Sequence, residues 1–249
     1  MGNMKFNTSI LTGSALVAVI EMLSRLSHVS RKTADGHLAD NEKNWEEYLN
    51  KTKTVYIERQ HDLEMLYFGS YRKLFSKMFM NGRPIVAARN SCEVIAVYNA
   101  LLNLGIKEEN TSFPRLLNYF EKNASVLKGY FGTSFAGIIK YFKTHGYDYK
   151  YFYGKNITEE NLNDLEKNYA TYIFMSYNNI ENIADMIHTM SVTREEKGFF
   201  IHNACEVPIY FDSLYEAISK YNNVCGFKSR PIAVLGINKG KKEKENEEE

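Results

Sequence analysis

Arg89-Asn90-Ser91-Cys92-Glu93-Val94-Ile95-Ala96-Val97-Tyr98-Asn99-Ala100-Leu101-Leu102-Asn103-Leu104-Gly105 is the stretch on which the reading of the whole chain turns. Apolar residues at Val94, Val97, Leu101 and Leu104, with Ile95 and Leu102 beside them, recur at helical spacing and predict a wide buried stripe. Asn90 or Ser91 is expected to cap the helix, and Glu93 suits the positive end of its dipole. Gly105 supplies a left-handed stop. Cys92 then falls in the first turn, where unpaired N–H groups and a partial positive charge favour a thiolate. A nucleophile is one reading of Cys92. The other is a small buried apolar residue, the commoner fate of a free cysteine.

Working outward, the composition is that of a globular protein, with 44% hydrophobic and 24% charged residues, and the length allows one or two domains. The formal charge of +1 and the lack of a long basic stripe give no case for a nucleic-acid partner. Cys92, Cys205 and Cys225 are odd in number and have no C-x-x-C spacing, which argues against a disulfide framework or a zinc site. No metal or cofactor is called for.

Residues 1–53 read as an appendage. Ile10, Leu16, Val17, Ile20, Leu23 and Leu26 recur at roughly helical spacing, but Glu21 and Arg25 interrupt the run before it could span a bilayer. A helix over residues 9–26 docked on the domain or lying on a membrane surface ranks first, and a cleaved export signal second. A cytoplasmic or membrane-associated placement is therefore favoured over secretion. Ser30 to Lys53 reads as a linker with a short helix around Trp45 and Tyr48, and the charged residues 239–249 as a disordered tail.

Between these ends, Val55 to Arg59 is expected as a strand, while Leu63 to Met80 is ambiguous. Phe113 to Phe120 and Phe135 to His145 predict amphipathic helices, and Thr158 caps another. Beyond about Asn168 the period changes to alternation. Thr171 to Tyr177, Met186 to Thr193, Phe199 to Asn203, Ile209 to Asp212 and Pro231 to Ile237 read as strands, with a helix over Ser213 to Tyr221. A helical half followed by an antiparallel sheet is the α+β class.

A nucleophilic cysteine needs an imidazole and a group that orients it. Of six histidines, His188 and His202 lie on neighbouring strands, and His61 stays open as an alternative. A hairpin loop at Glu195-Glu196 would pair Met190 with Ile201, Thr189 with His202 and His188 with Asn203. His188 and Asn203 would then be direct neighbours, while His202 points to the other face. A loop from Glu195 to Gly198 would instead slide Asn203 opposite Met190.

The order Asn90-Ser91-Cys92-Glu93-Val94-Ile95-Ala96, Gly132-Thr133-Ser134, Met186-Ile187-His188-Thr189 and Phe199-Phe200-Ile201-His202-Asn203 resembles the papain-like cysteine peptidases. Within them it is similar to a compact bacterial branch related to the bacteriocin-leader (double-glycine) processing domains. The resemblance covers about Val55 to Ile237 and implies a papain-like domain over residues 54–238. It implies Cys92 as nucleophile, His188 as general base and acid, and Asn203 as its orienting partner. Gly132, Thr133 and Ser134 would contact a peptide or protein substrate. One departure stands out. The family's glutamine before the cysteine, which helps form the oxyanion hole, has no counterpart in Arg83-Pro84-Ile85-Val86-Ala87-Ala88. Asn90 is the side-chain amide expected to replace it, with the Cys92 N–H as second donor. Cleavage of a peptide bond through an acyl-enzyme is the leading expectation. Acyl transfer to an amine, of the transglutaminase kind, and an inert peptide-binding module are the alternatives.

Overall fold

The computed structural model describes residues 18, 22, 28–52, 55–70, 86–107, 111–177, 187–204, 209–225 and 230–240. The expectations for the apolar N-terminal segment, for the ambiguous stretch beyond residue 70, for Cys205 and for the tail beyond residue 240 lie outside them. The chain forms an α+β structure in two compact units, Val19–Ile139 and Met1–Ala18 with Lys140–Glu249.

The first unit holds α1 (Arg31–Thr52), the single turn α2 (Ala87–Asn90), α3 (Cys92–Asn103), α4 (Phe113–Asn123) and the start of α5 (Phe135–Thr144). Helix α3 is more enclosed than a stripe: every residue from Cys92 to Leu101 is buried. Its end follows the expectation for Gly105 (φ +76), whose N–H donates to the Leu102 carbonyl while Ile106 N–H reaches Leu101.

Helix α1 overturns the linker reading. Polar as Ser30 to Lys53 is, Ala34, Asn41 and Trp45 fall on one buried line and dock the helix on α4. The Trp45 ring meets Tyr98 edge-on at 5.6 Å and Phe113 at 5.3 Å. His37 Nδ1 lies 2.8 Å from Oε1 of Glu121 on α4, and the same oxygen accepts the Gly69 N–H at 2.7 Å. A stripe three residues wide carries little periodic signal in a polar helix, so tertiary contacts decide the element.

Val55 to Arg59 is likewise not a strand. The backbone N–H and carbonyl of buried Ile57 are both bonded to the side-chain amide of Asn99 on α3, at 3.0 and 2.9 Å. Tyr67 has the same arrangement with Asn41 on α1, at 2.7 and 2.9 Å. An amide that accepts one N–H and donates to one carbonyl presents the groups a neighbouring strand would present. Ile57 lies outside any strand, while Tyr67 makes an isolated antiparallel bridge with Val86.

The second unit is built on a six-stranded antiparallel sheet in the order β1-β6-β2-β3-β4-β5. Its strands are β1 (Asp148–Tyr153), β2 (Thr171–Tyr177), β3 (Ile187–Glu195), β4 (Gly198–His202), β5 (Tyr210–Phe211) and β6 (Arg230–Asn238). Helices α6 (Glu159–Asn168) and α7 (Leu214–Cys225) pack with one face, where Leu165, Tyr172, Phe174, Val192, Phe199 and Leu214 share a core. Thr158 caps α6 through its hydroxyl, as read from the sequence. Edge strand β1 was not anticipated. Aromatic residues on both of its faces, Tyr149, Tyr151 and Tyr153 against Phe152, hide the alternation.

The paired amides yield a test. Replacing Asn99 by Ala leaves both backbone groups of Ile57 buried without partners, and should lower unfolding free energy by about 2–4 kcal/mol. Urea denaturation reads this directly, and a loss below about 1 kcal/mol would remove Asn99 as the substitute for a strand.

Candidate functional site

The sequence-selected residues fall in both units, and each group has its own local geometry. In the first unit, Cys92 is the first residue of α3 and is 7% exposed. The expected caps are not formed. Helix α2 runs into α3 through Ser91, whose hydroxyl donates back to the Ala87 carbonyl at 2.6 Å, satisfying the turn behind it rather than the one ahead. The Asn90 amide donates to the carbonyls of Gly129 (2.8 Å) and Tyr130 (3.2 Å). Asn90 therefore corrects two expectations together. It is neither an N-cap nor an amide held ready for an oxyanion, because its donors fix the 127–134 loop to the head of α3.

That loop presses closely on its surroundings. Gly129 (φ +92) could not carry a side chain, since a Cβ there would come within 2.6 Å of Gly69 Cα. A Cβ on Gly132 (φ +64) would lie 2.7 Å from Glu93 Oε2. Thr133 N–H donates to that same oxygen at 3.4 Å. Gly132 and Thr133 are thus gathered against the first turn of α3, whereas the Ser134 hydroxyl accepts the Gly137 N–H at 3.1 Å at the start of α5.

Glu93 is the residue whose part the sequence reading understated. It is 5% exposed, and burial lifts its carboxyl from 4.5 to about 7. Its own N–H, the Cys92 thiol and Thr133 act in the opposite direction and fall short. The Thr133 hydroxyl lies near enough to contribute but makes no hydrogen bond of good geometry. A signal was present in the sequence. Glu93 shares a helix face with Ala96, Val97 and Ala100, all buried, so an acid there must enter the interior.

In the second unit the hairpin takes the second of the two registers left open by the sequence, shifted by two residues from the leading one, which puts Asn203 level with Met190 rather than His188. The turn is Glu196-Lys197, with Glu195 paired to Gly198 and Ser191 to His202. Gly198 follows the turn at φ +120, and a Cβ there would meet the Phe211 carbonyl oxygen of β5 at 2.4 Å. Asn203 therefore does not face His188 across the ladder. It leaves the strand in a left-handed conformation (φ +56), and its backbone carbonyl lies 2.7 Å from His188 Nε2. Because a carbonyl only accepts, Nε2 carries the hydrogen and Nδ1 of the neutral ring carries the lone pair.

The shift is even, so His202 keeps the opposite face, as expected, and bonds Thr193 Oγ1 at 2.9 Å. His61 is exposed in the short turn Gln60–Leu63. Among the described residues no helix is long and apolar enough to cross a membrane. Comparison with family models, with curated proteins and with solved structures found no match to this chain.

The buried acid makes stability depend on pH. Glu93 holds its proton more tightly folded than unfolded, so the stabilisation is complete below about pH 4.5 and is lost as pH rises through about 7. Glu93→Gln should remove this slope, making the variant more stable than wild type at pH 8 by up to roughly 3 kcal/mol and closer to it at pH 5. Parallel urea denaturation at the two pH values decides it. An unchanged difference between variant and wild type would assign Glu93 a solvated environment.

Proposed function

We propose that this protein is a cysteine peptidase or amidase on a papain-like fold, with Cys92 as nucleophile, His188 as general base and acid, and Asn203 orienting the imidazole. The single observation that carries the reading is the hydrogen bond between His188 Nε2 and the Asn203 carbonyl. It fixes the ring plane and the tautomer, the task of the third member of such a triad. The thiol at the head of a buried helix and the order helix, loop, strand and hairpin support it further.

In this mechanism His188 Nδ1 takes the Cys92 proton, and the sulfur attacks the carbonyl carbon of the amide. The tetrahedral intermediate collapses as His188 returns the proton to the leaving amine. Water, deprotonated in turn by His188, then hydrolyses the thioester. With the Asn90 amide committed to loop carbonyls, the oxyanion rests on backbone N–H donors that include Cys92. Losing a side-chain donor typically costs about 10²–10³-fold in rate. The same observation favours a second reading, in which the fold binds a peptide without cleaving it.

A peptidyl chloromethyl ketone, followed by peptide mapping, separates the two. The peptidase reading expects an adduct on Cys92 near neutral pH at least about tenfold faster than on Cys205 or Cys225, and lost in His188→Ala. Cys92→Ser should abolish cleavage without unfolding the chain. Since the backbone carbonyl of residue 203 orients the ring, Asn203→Gly, which tolerates the left-handed turn, should retain more activity than Asn203→Val. Equal slow labelling of the three cysteines would leave the binding module.

A further inference from the structure

We infer that the segment His28–Val29, together with helix α1, is a strap that holds a strained turn at Leu127-Lys128 in place, and that the strap thereby governs access to Cys92. The inference rests on the reading of Cys92 as the nucleophile, and it names what regulates that site.

The strain is in the backbone. Leu127 (φ +46) and Lys128 (φ +59) are consecutive residues with side chains in the left-handed region, and Gly129 (φ +92) follows them. Chirality disfavours this conformation for leucine and lysine, so their surroundings must impose it. The His28 ring donates from Nδ1 to the Ser125 carbonyl at 3.0 Å, and the Lys128 ammonium donates to the His28 carbonyl at 3.1 Å. Val29 N–H lies 3.1 Å from the Glu121 carbonyl and 3.0 Å from Ser125 Oγ. On the other side Ser70 N–H donates to the Lys128 carbonyl at 2.8 Å. The strap is itself fixed to α4, where Asn118 donates to the Ala34 carbonyl at 2.8 Å and the buried Glu121 carboxyl meets His37.

The turn is joined in its own loop to the head of α3. Val126 N–H donates to the Gly132 carbonyl at 3.0 Å and Phe131 N–H to the Val126 carbonyl at 3.3 Å, so the loop is closed on itself. A Cβ on Gly132 would lie 3.2 Å from the Asn90 carbonyl oxygen as well as 2.7 Å from Glu93 Oε2, and these residues flank Ser91-Cys92. A return of residues 127 and 128 to right-handed angles redirects the chain and carries Gly132 with it. Two states follow. With the strap in place the turn is left-handed, the loop lies on the first turn of α3, and Cys92 is 7% exposed. With the strap withdrawn, the strain is released by lifting the loop, and the thiol opens to solvent and to substrate.

The test reads access to the thiol rather than cleavage, so it stands apart from the peptidase reading. N-ethylmaleimide labelling of the full chain is followed by peptide mapping, with amide hydrogen exchange measured in parallel. Lys128→Met, which keeps the length of the side chain and loses the tie to His28, should raise the labelling rate of Cys92 about tenfold. Cys205 and Cys225 should keep their rates. His28→Ala cuts the same junction from the other side and should act the same way, which serves if Lys128→Met does not fold. Both variants should speed exchange of the amides from Val126 to Thr133 by about tenfold, while those within α3 and α4 keep theirs. Faster exchange through α3 and α4 as well would mark a merely structural role and overturn the inference. Leu127→Gly relieves the strain without touching a tie, so added to Lys128→Met it should bring labelling back to within about threefold of wild type. Labelling that stays raised in this double variant would overturn the inference. So would unchanged labelling and loop exchange in both Lys128→Met and His28→Ala, even with peptide cleavage intact. Faster labelling in a protein that cleaves no peptide would keep the strap and discard the peptidase.

Discussion

Burying α3 from Cys92 to Leu101 keeps the polar groups of that stretch from water, and much of the first unit answers that constraint. A buried donor or acceptor without a partner costs about 1–3 kcal/mol, against a net stability of roughly 5–15 kcal/mol for a domain. Few such defects can be tolerated. The Asn99 amide therefore holds both backbone groups of Ile57, and the Ser91 hydroxyl returns to Ala87. Glu93 takes the Thr133 N–H, and Asn90 holds the loop that brings Thr133 there. Each of these bonds joins α3 to a segment distant in sequence or closes the turn before it. The head of the helix that carries Cys92 is consequently a rigid place.

The second unit solves a different problem, that of placing one imidazole. Strand pairing offers only discrete registers, and a slip of two keeps every side chain on its face. His188 thus shares its strand face with Met190 and Val192 whichever of the two registers forms. What the slip changes is the opposite strand, which ends at His202 one residue before Asn203. Asparagine tolerates the left-handed conformation better than most residues. The turn it makes brings a carbonyl to Nε2 where ladder geometry would have brought a side chain. His188 thus meets the same residue through another atom.

Much of this was legible in the sequence where local chemistry decides the outcome. Gly105 and Gly146 end helices in the left-handed region, Thr158 caps one, and five strands follow from alternation. Where the partner lies far along the chain, the reading failed. Val55 to Arg59 has the composition of a strand, but its backbone groups meet the side chain of Asn99, 42 residues away. Helix α1 is polar enough for a linker until Trp45 finds Tyr98 and Phe113. The hairpin took the second of the two registers that loop length left open. At the site, Cys92, His188 and Asn203 were chosen for their residue types and order. Asn90 was misread because a free amide and an amide holding a loop have the same sequence.

The head of α3 also shows why a thiol at a helix N-terminus is an incomplete description of a nucleophile. The helix end favours an anion by about 0.3–1 kcal/mol, and by about 2 kcal/mol in the best partly buried geometries. A like charge in contact shifts an ionisation by one to three pH units, or about 1.4–4 kcal/mol. Where both act on one sulfur, the neighbouring carboxylate outweighs the dipole, and the balance reverses only when that carboxylate is neutral. Glu93 sits where a helix N-terminus is ordinarily kept for the reacting group, and it takes its own N–H as well as that of Thr133. Desolvation works against this arrangement, for the burial that strengthens hydrogen bonds to an anion also resists forming it. A carboxyl that ionises near neutrality is the compromise between these effects. The head of α3 thus holds an acid that desolvation keeps close to neutrality, whatever the partial charge of the helix end beside it.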